Sequence, residues 1–155
     1  MKKLLFFVMA IVVSMVAFSQ ESVDPADLQF ADELVGKEVV VGGAYLLADA
    51  TSIGYHRHKL SDLYLLRVFD EHQKQVSESF APTNGSVANV VTTRAIAKKW
   101  LRLCSDNYFS DMTIKKSKLT GRVVCERQYG NEYAVFFVVT RIEIKDLDGN
   151  AVTIE

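Results

Sequence analysis

The feature that most constrains the fold is a pair of long β-forming runs that glycine interrupts. The run "KEVVVGGAYLL" contains Gly42 and Gly43, and the run "KLTGRVVCERQ" contains Gly121. Glycine inside a strand usually marks a bulge or a sharp bend. These two runs therefore predict long strands that coil strongly, as a narrow barrel needs in order to close.

Other segments give the order of the elements. "DPADLQFADELVG" predicts a short amphipathic helix over residues 25–35 that Gly36 ends. "DLYLLRVF" predicts a second strand with both faces covered, because apolar residues occupy both of its phases. "QVSESF" alternates as a third strand does, and "YAVFFVVTRIEI" is the most strongly β-forming stretch. "DLDGN" predicts a hairpin turn before a short strand, "AVTI".

The segment "TTRAIAKKWLRLC" predicts the clearest helix, between the third and fourth long strands. Either Thr92 or Thr93 can cap its N-terminus. Its apolar side chains recur at helical spacing and form one buried face: Ile96, Trp100, Leu103 and Cys104. The main order is thus strand, strand, strand, helix, strand, strand.

This order, with glycines in the first and fourth strands, resembles the OB-fold, a small barrel that binds oligonucleotides or oligosaccharides. The resemblance spans about residues 36–145 and is closest to small exported bacterial OB-fold proteins and tRNA-anticodon-like domains. It implies a mainly β (α+β) fold, namely a five-stranded OB-fold-like barrel with a helix between strands three and four, plus a short N-terminal helix. The alternative is another α+β roll with a helix laid on a curved sheet.

The N-terminus has the pattern of an export signal. Lys2 and Lys3 precede an apolar run over residues 4–18, and small residues come just before Gln20. The run is shorter than the roughly 20 apolar residues that span a bilayer. We therefore expect a signal peptide over 1–19, a single exported domain over 20–155 that is periplasmic or secreted, and no transmembrane segment in the mature chain.

Charge is nearly balanced overall but is distributed unevenly. Without Lys2 and Lys3 the chain has 16 cations against 19 anions, so bulk attraction to cytosolic nucleic acid is not expected. Cations concentrate between Arg94 and Arg122. In the predicted helix, Arg94, Lys98 and Arg102 recur every four residues, with Lys99 beside them. A solvated helix face is favoured there, and a docking surface is the alternative.

The resemblance also implies a ligand site. OB-fold ligands lie across strands two and three, flanked by the loop between strands one and two and the loop between strands four and five. The stretches "SIGYHRHKL" and "RQYGNE" fall in these loops. Tyrosine offers a stacking plane and arginine a fork for anions. The implied ligand-binding residues are Tyr55, His56, Arg57, His58, Arg127 and Tyr129. The alternative is that both loops are ordinary solvated connections.

Neither metal nor catalytic chemistry is expected. His56 and His58 have no neighbouring third ligand, and "DLDGN" lacks the ligand spacing of a calcium loop. The sequence contains no nucleophile elbow, phosphate-binding glycine loop or metalloprotease helix. Export permits Cys104 and Cys125 to pair, but two unpaired, buried small residues are favoured. If the helix ends near the start of the strand, over 20 Å separates the two Cα atoms, at about 3.3 Å per residue, and a bridge needs them within about 7 Å. The chain is thus expected to be no enzyme and to use no cofactor.

Together these observations favour an exported, non-catalytic OB-fold binding module whose ligand is an oligosaccharide or an anionic polymer. The alternative is a structural or accessory protein of the cell envelope. Such a protein would dock another protein through a sheet edge or through the cationic helix.

Overall fold

A computed structural model describes residues 20–52, 62–77, 88–107, 109, 113–127 and 133–155. The predicted signal peptide over 1–19 lies outside these residues and stays a prediction. Among the described helices, none is both long enough and apolar enough to span a lipid bilayer.

Nine strands form one mixed sheet: β1 (Glu21–Val23), β2 (Glu38–Leu47), β3 (Thr51–Ser52), β4 (Leu63–Leu65), β5 (Val68–Phe69), β6 (Asn89–Thr93), β7 (Ile114–Arg127), β8 (Tyr133–Lys145) and β9 (Ala151–Ile154). The strand path is β1-β2-β7-β8-β6-β4-β3, while β5 pairs with β2 and β9 pairs with β8. No ladder between described residues joins β1 to β3. The mainly β class is confirmed; the five-stranded barrel and the position of its helix stay predictions.

The glycines of β2 form a bulge, as the sequence predicted. Val41 pairs with Leu119 of β7, and the next pair joins Ala44 to Ser117, so Gly42 and Gly43 together face a single residue. Gly43 has φ of +70°, a conformation that side chains rarely adopt. The bulge bends β2 at the point where the strand must curl around the core.

Gly121 of β7 is needed for a different reason. The register of β7 with β8 shifts between Thr120 and Gly121, and one residue of β8, Thr140, is left over. A Cβ atom on Gly121 would lie 2.1 Å from the carbonyl oxygen of Val138. The two backbones therefore approach as closely as glycine alone permits.

The predicted second strand is divided into β4 and β5. Between β4 and β5 the backbone forms hydrogen bonds to two different strands. The Leu66 amide donates to Val90 O at 2.8 Å, and Arg67 O accepts from the Leu47 amide at 3.1 Å. β4 accordingly pairs with β6, and β5 pairs with β2. Both faces of this stretch are largely covered, as its two apolar phases predicted.

Two helices complete the described structure: α1 (Pro25–Leu34), which is a 3₁₀ helix, and α2 (Arg94–Asp106). The sequence predicted α1 as an ordinary amphipathic helix, but non-helical angles at Phe30 (φ −122°, ψ 36°) divide it. Gly36 follows it with φ of +86°. Of the two candidate caps of α2, Thr93 accepts the Ile96 amide at 3.3 Å, whereas buried Thr92 donates to Val139 O.

The main core lies inside the curled sheet, and α2 contributes Trp100, which is fully buried. Cys104 is also buried, and burial raises the pKa of its thiol to about 12. Both cysteines are free, as predicted, but Cys125 is exposed rather than buried. The prediction of burial was wrong for Cys125, which lies two residues before the end of β7 and opposite buried Val135 of β8.

The predicted C-terminal arm is present. The Asp146 amide donates to Asn150 O at 3.0 Å, and Gly149 has φ of +83°, so "DLDGN" is a hairpin turn. β9 pairs with β8 from Ile142 to Lys145, on the edge along which β6 pairs with Phe136 to Val139. β6 and β9 thus follow one another along one edge of β8.

Candidate functional site

The predicted ligand-binding residues fall almost wholly outside the described part of the chain. This applies to Tyr55, His56, Arg57, His58 and Tyr129. Arg127 is the last residue of β7, and only its backbone is described. The site assignment therefore stays a prediction, and the structure bears on it through the strands from which the two loops arise.

The first loop, residues 53–61, arises from the antiparallel pair of β3 and β4. Thr51 pairs with Leu65, and Ser52 pairs with Tyr64. Just before β3, Asp49 accepts a hydrogen bond at 2.9 Å from the guanidinium of Arg67, which lies between β4 and β5. This ion pair and the short ladder hold both ends of the loop against the sheet.

The second loop, residues 128–132, joins β7 to β8, whose first pair is Arg127 with Tyr133. The Tyr133 side chain is 56% exposed. An exposed aromatic ring at the base of this loop is a stacking surface for a base or a sugar. Sequence reasoning named Tyr129 and missed Tyr133, although the same stretch, "RQYGNEY", carries both.

The register places the two loops at opposite ends of one ladder. Leu63, beside the first loop, pairs with Thr93 at the end of β6. Tyr133, beside the second loop, lies before Phe136, which pairs with Asn89 at the start of β6. At the rise of a strand, the ends of the loops are separated by roughly 20 Å along the sheet. The described strand residues that flank the two loops therefore lie at opposite ends of this part of the sheet.

Between the two loops, the outer face of the sheet carries a second apolar cluster. We call this the outer-face cluster: Leu65, Val91, Ala134 and Phe136, with Leu63, Val124 and Val138 packed against it. Its four central members are shielded from solvent. It spans β4, β6, β8 and β7, so these strands have apolar packing on both faces. Such packing gives the strands from which the loops arise a rigid base.

The helix that carries cations does not form one uniform basic surface. The Lys99 Nζ donates to Glu155 O at 2.6 Å, and Arg102 pairs with Asp106 at 3.6 Å. Arg94 and Lys98 are exposed and have no ion pair with the described residues. Two of these four cations, Lys99 and Arg102, therefore have local partners among the described residues.

No group of three side chains that could together bind a metal ion occurs in the described part of the chain. His72 lies in the turn after β5, with its imidazole 82% exposed and 3.7 Å from Glu71. His56 and His58, the histidines that raised the possibility of a metal, lie outside the described residues.

Comparison with known proteins adds little to this picture. No family model matches the chain, and no curated protein matches it. The solved structures that resemble it include OBody AM2EP06 bound to hen egg-white lysozyme, with a TM-score of 0.43, 18% identity and 84% of this chain covered against 98% of that chain. OBody AM3L09 bound to hen egg-white lysozyme gives 0.43, 17%, 82% and 96%. At these TM-scores the likeness carries no argument about the ligand or the site.

Proposed function

We propose that this chain is an exported, non-catalytic OB-fold-like binding module whose ligand is an oligosaccharide or an anionic polymer. The observation that carries the proposal is the position of the two candidate loops, which arise at opposite ends of the outer face of β4, β6 and β8. An extended ligand that runs from one of these ends to the other would meet both loops.

The strand connections support a barrel. β2 pairs with β7, β7 with β8, β8 with β6 and β6 with β4. Only Leu66 and Arg67 separate β4 from β5, and β5 pairs back to β2. We propose that residues 63–69 act as one barrel strand with its two halves paired to different neighbours. The barrel then has the strand order of an OB-fold.

The position of α2 supports the same proposal. α2 follows β6 and precedes β7. We propose that β6, rather than the predicted "QVSESF", is the third strand of the barrel and β7 the fourth; no strand is assigned to the described part of "QVSESF", residues 75–77. The indole of Trp100 is buried and donates to Leu47 O at the end of β2. We propose that α2 fills this end of the barrel, away from the strand ends that carry the two candidate loops.

The chemistry of the loops sets the ligand class. Tyr55 and Tyr129 offer stacking planes, Arg57 and Arg127 offer anion-binding forks, and Tyr133 adds an exposed ring at 56%. Because the strand ends that carry the two loops are roughly 20 Å apart, contact with both loops favours a polymer over a small molecule.

A direct test is binding of the mature chain to a glycan array and to oligonucleotides, compared with the triple variant Tyr55→Ala, Arg57→Ala and Tyr129→Ala. We expect the triple variant to lose most of the binding that the unmodified chain shows. Unchanged binding would remove the site assignment.

A matched control is the triple variant Phe30→Ala, Arg102→Ala and Leu147→Ala, since these side chains are exposed and lie outside both loops and the strands that carry them. It should bind as the unmodified chain does. Equal losses in the two triple variants would show that the loops have no special role.

Export is tested separately from binding. We expect the secreted or periplasmic protein to begin at Gln20, since residues 1–19 form the proposed signal peptide. Mass spectrometry of the N-terminus after expression with the full leader checks this. Retention of Met1 in a cytoplasmic fraction would contradict it.

A second candidate function is docking to an envelope protein, and the exposed, unpaired Arg94 and Lys98 favour it. Because Lys99 and Arg102 have local partners, Arg94→Glu with Lys98→Glu is the sharper variant for a pull-down from envelope extracts. An unaltered set of partners would count against docking through α2.

A further inference from the structure

The outer face of β7 and β8 carries a second surface, distinct from the loops. We call it the basic row: Lys116, Lys118 and Arg122 of β7, with Arg141 and Lys145 of β8. Along β7 these cations alternate with the buried residues Ser117, Leu119 and Val123, so they point away from the core.

Two acids neutralise part of this row. Glu143 accepts from Lys118 at 3.1 Å and from Arg141 at 3.0 Å. Lys116, Arg122 and Lys145 are exposed and have no ion pair with described residues. Glu38 is opposite Arg122 and offsets part of its charge, while its Oε1 also accepts a hydrogen bond from Gln20 at 2.8 Å, so five cations of the row face two acids. The row keeps an excess of positive charge.

The positions of the cations within the row also produce repulsion between like charges. Ser117 pairs with Ile144, so the next position along the antiparallel ladder sets Lys116 opposite Lys145. Like charges directly opposite one another on neighbouring strands destabilise a sheet. On its other side Lys116 pairs with Tyr45, which supplies no negative charge. A bound anion would relieve this repulsion.

We propose that the basic row binds a linear anionic polysaccharide that lies along β7. From Lys116 to Arg122 the row is roughly 20 Å long at the rise of a strand, so it presents its cations along a line. Sulfate or carboxylate groups spaced along an extended polymer match such a line, and an arginine and two lysines without ion pairs are available to them.

A line of cations on a coiled sheet is a better match for an extended polymer than for a membrane surface. The bulges at Gly43 and Thr140 bend β2 and β8, the neighbours of β7, and a bent surface touches a flat bilayer at few points. Single-stranded nucleic acid is also a poorer match, because it binds through stacked aromatic side chains. Of the described residues beside the row, Tyr45 alone is aromatic, and it is half-buried.

The test uses heparin, a sulfated polysaccharide, with the mature chain and with the double variant Lys116→Gln and Lys145→Gln. We expect heparin affinity to fall about tenfold in the variant, and the dependence of affinity on salt to become shallower, because two contacts with anions are lost. Neutral dextran should not bind. The variant should fold normally, which circular dichroism checks, because the substitution removes a repulsion between like charges.

The matched control is Lys74→Gln with Arg102→Gln, which removes the same charge from two exposed positions outside the row. Heparin affinity should stay within about twofold of the unmodified chain. Equal weakening in both double variants would mean that net charge alone attracts heparin and would overturn the proposal. So would unchanged affinity in Lys116→Gln/Lys145→Gln, or tighter binding to single-stranded DNA or to vesicles of anionic lipid.

This proposal does not depend on the loops. The Tyr55→Ala/Arg57→Ala/Tyr129→Ala variant leaves the basic row intact and should keep its heparin affinity. Loss in that variant alone would assign the polysaccharide to the loops instead.

Discussion

The indole Nε1 of Trp100 donates a hydrogen bond to the carbonyl oxygen of Leu47 at 3.2 Å. This bond joins the middle of α2 to the last residue of β2. The same carbonyl accepts the Asp49 amide at 2.7 Å, directly before the β3 strand that leads to the first loop. One backbone atom therefore links the helix, the bulged strand and the start of the predicted ligand loop.

Trp100→Phe tests this link. We expect the free energy of unfolding to fall by about 1–3 kcal/mol, from a lost hydrogen bond and a smaller buried ring. The carbonyl of Leu47 would keep its bond from Asp49 and would not be left unpaired. Urea unfolding measures the change. Lys98→Ala, on the exposed face of the same helix, should change stability by less than about 0.5 kcal/mol.

Gly121→Ala tests the close approach of β7 and β8. The added methyl group would meet the backbone of Val138, which cannot move without disturbing the sheet. We expect a loss of at least about 2 kcal/mol in stability, or failure to fold. Gly42→Ala is the control, because open space surrounds its Cβ position. Similar losses at both glycines would show that close packing is not the cause at Gly121.

Thr93→Ala tests the cap of α2. The substitution removes the acceptor of the Ile96 amide and should lower the free energy of unfolding by about 1 kcal/mol. Thr93→Asp keeps an acceptor and adds a negative charge near the helix N-terminus, so it should retain most of the stability. Thermal unfolding of the three proteins decides between these outcomes. An unchanged midpoint in Thr93→Ala would show that the cap contributes nothing.

The two thiols should differ in reactivity. Cys125 is exposed, while Cys104 is buried and burial raises its pKa to about 12. Ellman's reagent should therefore modify one thiol in the native mature chain and two in denaturant. Cys125→Ser should abolish the native reaction. Rapid modification of Cys104 in the folded protein would contradict the structure.

The same pKa shift predicts a loss of stability at high pH. The unfolded chain ionises its thiol near the ordinary value of 9.0, whereas folded Cys104 holds its proton to about 12. Between these values the folded state binds more protons than the unfolded state, so the free energy of unfolding falls as pH rises. Cys104→Ala should show a shallower fall over this range in urea unfolding. Equal slopes would place the ionisation elsewhere.

Local chemistry made part of the fold predictable. The bulge at Gly43, the end of α1 at Gly36 and the hairpin turn at Gly149 all follow from positive φ angles. α2 followed from helical spacing and a capping threonine. Each of these features is set by residues that are close in sequence.

Long-range pairing was not predictable in the same way. The division of the second strand depends on Leu66 and Arg67 bonding to different neighbours, Val90 and Leu47. No local pattern encodes which strand comes to lie on either side. The parallel ladder of β1 with β2 was missed for the same reason, since its three pairs join segments in separate parts of the chain.

The outer-face cluster and the basic row are set by which residues of each strand face outward, and amino-acid composition alone does not show this. Ala134, Phe136 and Val138 share the outward phase of β8, and their apolar side chains were the available signal for the outer-face cluster. The cations between Arg94 and Arg122 form one group along the chain. In the structure they are divided between helix α2 and the outward-facing positions of β7, which belong to the basic row. The loop residues themselves remain predictions from the resemblance.

The pairing of β9 with β8 affects whether copies of this protein associate through their strand edges at high concentration. Without it, the amides and carbonyls of Ile142 to Lys145 would be open to pairing with a second copy. Exposed strand edges are templates for aggregation. β9 replaces that stretch with a four-residue edge beside Lys99. Removing residues 151–154 should therefore raise light scattering in storage, and a clear solution would show that this edge is harmless.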